Sequence, residues 1–238
     1  MTSKVSIILT THGTAPYLKQ AIGSVLAQTH ENWELIIACD GPLQVEPQPY
    51  GWGMSDHRMR QPVFDVPEGV QCRYAYTINQ AFKQCNGDYI TYLCHDDLYL
   101  PWRLELMVQR LGCCTNSFSS PPSVVFGYQQ LMTEGDNNGI VYTAMCAEGD
   151  WNNKIRKGSE SQPAGTVDHS SVMHRRECFE KAGGWDENAP MRYGDMYFWQ
   201  RLQAAGYKFH CIPEVLDAHR FNPHSVSWKL DHPESATL

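Results

Sequence analysis

The side chains with chemical capacity gather at the polar ends of three apolar runs. Asp96-Asp97 follows the run Tyr89 to Cys94, Asp40 follows Leu35-Ile36-Ile37-Ala38-Cys39, and Thr10 and His12 follow Val5 to Leu9. Adjacent carboxylates are hard oxygen ligands of the kind that hold Mg²⁺ or Mn²⁺ and leave positions open for phosphate oxygens. Thr, His and Asp at the same rim suit a nucleotide pocket, their side chains bonding base and ribose. Each has a plainer alternative: Asp96-Asp97 can cap a helix ahead of Pro101, Asp40-Gly41 can be a turn, and His12 a loop residue. The agreement of three strand ends favours the pocket. Arg73, at the head of a helical stretch, suits contact with a base or phosphate, or with solvent alone.

Asp195 opens the last helix, where the macrodipole favours the ionised carboxylate. That keeps it ready to accept a proton but weakens it as a base, so burial or an apolar neighbour would have to raise its pKa again. Helix-start stabilisation is the simpler account of an isolated Asp there. Asp168-His169-Ser170 invites comparison with a hydrolase triad, but the chain has no Gly-x-Ser-x-Gly elbow. His219, Arg220 and His224 could ligate a metal or touch phosphate as a closing tail; an exposed polar tail is the expectation.

These residues need elements to hold them. Val5 to Leu9 and Leu35 to Cys39 read as strands buried on both faces, joined by a helix with Thr14 as N-cap and Leu18, Ile22, Val25 and Leu26 on its apolar face. Such a βαβ unit places ligands beyond the carboxyl ends of its strands. Residues 41–69 are too rich in Pro and Gly for anything but a loop, with a short strand near Arg58 to Arg60. A helix from Arg73 carries Tyr74, Ile78, Ala81, Phe82 and Cys85 and ends at Asn86-Gly87. Tyr89 to Cys94 forms the third strand, and Pro101 opens a helix closed by Gly112. Beyond it lie a strand pair (123–131 and 140–145), a polar loop at 149–166 expected to be mobile, a strand-like run from Asp168, a short helix ending at Gly183-Gly184, and a last helix, 195–206, with Trp199 and Leu202 on the face of Asp195.

At 238 residues, 42% hydrophobic and 19% charged, the chain suits one α/β domain or at most two small ones. With 19 Lys+Arg against 26 Asp+Glu its net charge is −7, which argues against a broad basic face for duplex nucleic acid or anionic lipid. An anionic substrate must be met locally. The apolar runs fall far short of the roughly 18 residues of a membrane helix, and the first strand begins too early to leave room for a signal peptide. The expectation is a soluble, cytoplasmic protein. The nine cysteines are odd in number and show no Cys-x-x-Cys pair, so reduced core thiols are expected rather than a disulfide framework or zinc site.

Taken together the motifs resemble a known family. Val5-Ser6-Ile7-Ile8-Leu9-Thr10-Thr11-His12, Ala21-Ile22-Gly23-Ser24-Val25-Leu26-Ala27-Gln28-Thr29 and Glu34-Leu35-Ile36-Ile37-Ala38-Cys39-Asp40-Gly41 resemble the opening of family 2 inverting glycosyltransferases of GT-A fold. Gly87-Asp88-Tyr89-Ile90-Thr91-Tyr92-Leu93 before Asp96-Asp97 is similar to their metal-binding strand. Arg73-Tyr74-Ala75, Ile78-Asn79-Gln80-Ala81, Asp168-His169, Ser171-Val172-Met173-His174-Arg175 and Gly194-Asp195 resemble, more narrowly, the spore-coat polysaccharide glycosyltransferases of that family. The resemblance runs from about residue 4 to 205. It implies a Rossmann-like, mostly parallel sheet flanked by helices, with a smaller acceptor-side subregion. Residues 1–112 would form the nucleotide-sugar-binding half and 113–238 the acceptor-binding half of one continuous catalytic domain.

The resemblance further implies that Thr10, His12, Asp40 and Arg73 hold the base, that Asp96 contacts the ribose, that Asp97 binds Mn²⁺ or Mg²⁺, and that Asp195 is the general base. Asp168 and His169 fall on the acceptor or donor-sugar side. The wider family often carries Asp where Cys94 stands and an aromatic residue where His12 stands. The implied partners are a UDP- or dTDP-sugar donor and an acceptor of undefined class, with acceptor recognition drawn from the second-half loops, a partner or self-association. Two competing functions remain. A sugar-nucleotide nucleotidyltransferase should carry a basic Gly-rich loop, yet Thr10 to Tyr17 has Gly13 and no basic residue; against a catalytically silent nucleotide-sugar- or glycan-binding module stand Asp96, Asp97 and Asp195 together.

Overall fold

In the computed structural model, which describes residues 3–42, 56–112, 121–134, 140–142, 155–156 and 158–220, the apolar residues from Val5 to Leu9 are all wholly inaccessible to water. A strand with apolar residues on both faces needs cover on both. The chain supplies it in order: β1 (Val5–His12), α1 (Leu18–Leu26), β2 (Trp33–Asp40), β3 (Met59–Arg60), β4 (Val63–Phe64), α2 (Arg73–Phe82), β5 (Tyr89–Cys94), β6 (Leu98–Tyr99) and α3 (Arg103–Gly112). The second half adds β7 (Val124–Glu134), β8 (Ile140–Tyr142), β9 (Ile155–Arg156), β10 (Val172–Arg175), α4 (Arg176–Ala182), α5 (Gly194–Ala204) and β11 (Phe209–Arg220).

All strands join one sheet in the order β3-β2-β1-β5-β10-β7-β11-β6, with β4 on β2 and β8 and β9 on β7. The pairs from β3 to β5 are parallel, β10 runs antiparallel to both its neighbours, and β11 returns parallel to β7. Alternate residues of the strands feed two cores. Ile7, Leu9, Leu35 and Ile37 pack with Leu18, Ile22 and Val25 of α1 and Leu104, Met107 and Leu111 of α3. Ile8, Ile36, Ile90 and Tyr92 pack with Ile78 and Ala81 of α2, Phe179 of α4, and Phe198, Trp199 and Leu202 of α5.

The two ends of the parallel strands differ. At the amino ends, buried Glu34 accepts hydrogen bonds from Ser6 Oγ and the Asn86 amide, both at 2.6 Å, and pairs with Arg60 at 2.6 Å. Burial would raise this carboxyl, but the Ser6 hydroxyl, the Asn86 amide, Lys4 and Arg60 outweigh it and hold it below its usual range. That end is sealed. At the carboxyl ends, His12 stands opposite Asp40 and Thr10 opposite Cys94, and the chain turns away to leave a cleft.

Several local expectations are corrected. Thr14 does not cap α1: the helix starts at Leu18 after a turn in which Gly13 has φ +62°, and Tyr17 precedes it without a side-chain cap. Leu26 is exposed rather than on the apolar face. α2 stops at Phe82, so Asn86-Gly87 lies beyond its end, and α3 starts at Arg103, two residues after Pro101. Residues 158–166 of the expected loop form a hydrogen-bonded turn, with Ser159 N donating to Thr166 Oγ1 and Val167 N to Pro163 O; residues 135–139, 143–154, 157 and His224 lie outside the described residues. His219 and Arg220, expected in an exposed tail, instead end a twelve-residue strand, β11. Its polar-looking sequence hides it, and the register breaks on either side of Val215, next to Pro213, which has no N–H to give the ladder. Among the described residues no helix is long and apolar enough to cross a membrane.

Gly87 is required by space rather than by a helix end. A Cβ there would lie 2.6 Å from the backbone nitrogen of Ser6 and 2.8 Å from the Lys4 carbonyl, whereas one on Gly23 in α1 would meet nothing within 4 Å. Gly87→Ala is therefore expected to cost about 2 kcal/mol of unfolding free energy in urea titration, since it forces β1 and β5 apart. Gly23→Ala is expected to be neutral or to stabilise by up to about 1 kcal/mol.

Candidate active site

The cleft at the carboxyl ends has a volume of about 290 Å³. Thr10, Thr11 and His12 enter it from β1, Asp40 from β2, Cys94 to Asp96 from the end of β5, Asp168 and His169 from the turn before β10, Asp195 from α5, and His219 and Arg220 from β11. Tyr74 and Thr77 of α2 and Met191 and Arg192 complete its walls. Thr10, His12, Asp40, Asp96, Asp168, His169 and Asp195, all singled out in the sequence, are thus brought together. Arg73 and Asp97 do not line it. Arg73 borders it through Asp40, its Nε donating to Asp40 Oδ2 at 2.8 Å.

Asp97 lies beneath the floor, fully buried. Its Oδ2 accepts the Ser170 hydroxyl at 2.8 Å, its Oδ1 accepts the Arg220 amide at 3.0 Å, and His219 Nδ1 lies 3.1 Å from Oδ1. Ser170 is therefore committed to Asp97 and is no nucleophile; Asp168 accepts the Ser170 amide at 2.9 Å as the cap of the short 3-10 turn His169–Ser171. The exposed-tail expectation fails for two residues. Arg220 is buried with its guanidinium 4.0 Å over the Tyr17 ring and its Nε bonded to the Asp96 carbonyl, and His219 faces the cleft.

A second buried layer supports this one. Arg103, wholly inaccessible, donates to the Ser170 carbonyl at 2.6 Å, lies 3.8 Å over the Tyr99 ring, and has its Nε 3.6 Å from Asp217 Oδ2. Gln129 donates to Asp217 at 2.7 Å and reaches Asp168 at 3.4 Å, so the paired charges position the turn that carries Asp168, His169 and Ser170. Burial pushes the Asp217 carboxyl up more than Arg103 draws it down. Sequence pattern offered no sign of this layer, because a buried Arg and Asp look like surface residues until their partner is known.

Asp195 settles the contest between dipole and burial. Removal from water is the largest influence on its carboxyl; His169 draws it down and the Asp168 charge pushes it up, and the result is a pKa raised to about 6. Its Oδ1 accepts the Met196 amide at 2.7 Å, and its own amide donates to the buried Tyr74 hydroxyl at 3.2 Å. Tyr74 stacks in turn on His169, centroids 6.0 Å apart. Burial drives the Tyr74 hydroxyl far above its usual range, so it stays protonated. Tyr74 was legible only as an apolar helix residue, yet it holds the backbone of the candidate base.

Three donor groups converge around the floor. Asp97, Asp168 and His219 each present one ligand atom within 4.8 Å of the others, as do Cys94, Asp96 and Asp97, and Asp168, His169 and Asp195. Oxygen and imidazole donors of the first group fit a hard divalent cation. The cleft therefore combines a recessed carboxyl whose pKa burial raises to about 6, carboxylates that could hold a cation, and a rim of hydroxyl, imidazole and carboxylate groups.

Comparison with known proteins agrees with that combination. Protein CgeD of Bacillus subtilis is 35% identical over 94% of this chain, which spans 52% of the length of CgeD. EpsE of the same organism is 33% identical over 96% of this chain and 79% of its own length. Among solved structures, S. aureus TarS 1-349 in complex with UDP superposes with a TM-score of 0.63 at 13% identity, covering 92% of this chain and 61% of that one. Mannosyltransferase PcManGT from Pyrobaculum calidifontis, in complex with GDP-Man and Mn²⁺, gives 0.64 at 16% identity, covering 94% and 59%. These likenesses establish the GT-A fold. The profile of Glycosyl transferase family 2 matches residues 6–183, and on that match, together with the identity to EpsE, the chain belongs to glycosyl transferase family 2.

Proposed function

We propose that the chain is a metal-dependent inverting glycosyltransferase that moves a sugar from a UDP- or dTDP-sugar to an acceptor hydroxyl. The observation that carries this reading is Asp195: a recessed carboxyl with a pKa raised to about 6, opening into the same cleft as Asp96, Asp168 and His219. At neutral pH such a group is ionised and ready, yet basic enough to hold a proton during attack. The acceptor oxygen forms its bond to the anomeric carbon as its proton passes to Asp195, the bond from that carbon to the diphosphate oxygen breaks, and the configuration inverts.

Donor placement follows the strand ends. Thr10, His12 and the Asp40–Arg73 pair sit at one side of the cleft, where they would hold the pyrimidine base; Asp96 would take the ribose; Asp168 and His169 would face the sugar and acceptor. Asp97 and His219, with Asp168, would hold Mn²⁺ or Mg²⁺, which when bound neutralises the charge developing on the diphosphate. The complexes of TarS with UDP and UDP-GlcNAc, and of PcManGT with GDP-Man and Mn²⁺, support a nucleotide-sugar in a cleft of this fold. Met191 and Arg192, on the cleft wall, would contribute to the choice of acceptor.

Two outcomes are expected. Asp195→Asn should bind UDP with the wild-type affinity in calorimetry while UDP release from the donor, to water or to a screened acceptor, falls by about a thousandfold; wild-type turnover in this variant would overturn the assignment. Because Asp195 works unprotonated, kcat/KM should fall by about tenfold per pH unit below its pKa and level off above it. A profile flat down to pH 5 would show that another group takes the proton.

A further inference from the structure

Behind the cleft wall one aromatic residue is held at three points. Trp185, 2% exposed, lies between α4 and α5. Its amide donates to Asn79 Oδ1 at 2.9 Å and its carbonyl accepts from Asn79 Nδ2 at 3.0 Å, so one side chain of α2 satisfies both backbone groups. Its indole Nε1 donates to the Tyr92 hydroxyl oxygen at 3.2 Å. Tyr92 and His174, both wholly buried, continue the chain: the hydroxyl lies 2.7 Å from His174 Nε2, and His174 Nδ1 lies 2.8 Å from the Arg175 carbonyl. A carbonyl oxygen can only accept, so Nδ1 carries the proton, Nε2 accepts from Tyr92, and the Tyr92 oxygen is left to accept the indole N–H. Burial pulls the His174 pKa down to about 4, which keeps the ring neutral and this order of donors intact.

The ring so fixed packs against the surroundings of the candidate base. It makes T-shaped contacts with Tyr74 at 5.7 Å between centroids and with His169 at 6.0 Å, and it stacks on Phe198 at 5.0 Å. Each of those three bears on Asp195. The Tyr74 hydroxyl accepts the Asp195 amide, His169 has a ring nitrogen within 4.8 Å of a carboxylate oxygen of Asp195, and Phe198 lies one turn further along α5. A general base must stand within about 3 Å of the proton it takes, and a misplacement of about 1 Å can cost about a hundredfold in rate. Filling the core would need only the apolar area of the indole. The clamp on its backbone and the directed bond on its nitrogen also fix its orientation.

We infer that Trp185 is a positioning residue for the transfer step: Asn79 and the Tyr92–His174 pair hold its indole, and the indole holds Tyr74 and His169 against Asp195. The role rests on the proposed function, in which Asp195 takes the acceptor proton. Trp185 touches neither donor nor acceptor, since Tyr74 and His169 line the cleft in front of it. Loss of the arrangement therefore slows the chemical step without weakening the nucleotide, whose proposed contacts Thr10, His12 and Asp40 stand at the ends of β1 and β2.

The test is steady-state kinetics at pH 8, where Asp195, with its pKa of about 6, is ionised. Trp185→Phe keeps an aromatic ring and loses the indole N–H; its kcat should fall by about tenfold to a hundredfold, with donor KM and UDP affinity within about twofold of wild type. Tyr92→Phe should show the same split with a smaller loss. Trp33→Phe, altered at an equally buried tryptophan that opens β2 at the sealed end of the sheet, is the control: kcat should hold within about twofold even where the unfolding midpoint falls as far. Far-UV circular dichroism and the urea midpoint establish that each variant is folded; if Trp185→Phe is not, Tyr92→Phe decides. Nitrogen-15 NMR of the wild type, which needs no substrate, should show His174 protonated at Nδ1 at neutral pH. A folded Trp185→Phe with wild-type kcat, an equal loss in Trp33→Phe, a parallel loss of UDP affinity, or His174 protonated at Nε2 instead overturns the role and leaves the transferase reading standing. A wild type that releases nucleoside diphosphate from no UDP- or dTDP-sugar overturns that reading, and the role falls with it.

Discussion

The buried Asp97 carboxylate is the constraint on which the cleft depends. Taking such a group out of water costs several kcal/mol unless hydrogen bonds and opposite charge replace its hydration. The replacements come from two distant stretches of chain: the hydroxyl of Ser170 before β10, and the amide of Arg220 with the imidazole of His219 beside it at the end of β11. The two groups of β11 are available only once the last strand has crossed back to meet the turn after β5. Arg103 repeats the arrangement one layer down, bonded to the Ser170 carbonyl and set against Asp217 of β11. Separating β11 from the sheet would strand carboxylates in both layers, so the elements of the second half of the chain are tied to those of the first by buried charge as well as by apolar area.

That constraint also explains how acidity is arranged. The net charge of −7 is partly the site itself, with Asp40, Asp96, Asp97, Asp168 and Asp195 gathered around one cleft. Their fates differ with their surroundings. Asp40 is held by Arg73, Asp97 by donors on both oxygens, and Asp195 by one backbone amide within a poorly hydrated recess. The environment thereby divides like residues: Asp97 is a buried anchor between segments, and burial raises the Asp195 carboxyl to a pKa of about 6. A dication among these carboxylates would reverse the local field and make room for a diphosphate.

Much of this was legible in the residues. Strands buried on both faces declare themselves by unbroken apolar runs, and since β1, β2 and β5 all end in polar residues, the rim bearing Thr10, His12, Asp40 and Asp96 followed directly. The resemblance to a family added roles for Arg73, Asp97 and Asp195, which remain proposals. What escaped was long-range. β11 alternates poorly, carries Pro213 and holds His210, Glu214, Asp217 and His219, so it reads as a tail until β7 and β6 are seen on either side of it. Arg220 and Arg103 look like surface cations because burial of a charge depends on partners far away in the chain. Gly87 looks like a helix end because glycine signals a turn more often than a close approach of two strands.

Calorimetric titration of UDP into the protein, with Mn²⁺ and again with excess chelator, tests the central claim most directly, because it asks whether the carboxylate that ties the segments together also serves the nucleotide. The account requires binding at one UDP per chain that weakens by more than about tenfold when the ion is removed, and a folded Asp97→Asn variant that binds UDP weakly whether or not Mn²⁺ is present. Equal affinity for UDP with and without the ion in the wild type, or an Asp97→Asn variant that keeps the full response to Mn²⁺, would contradict it.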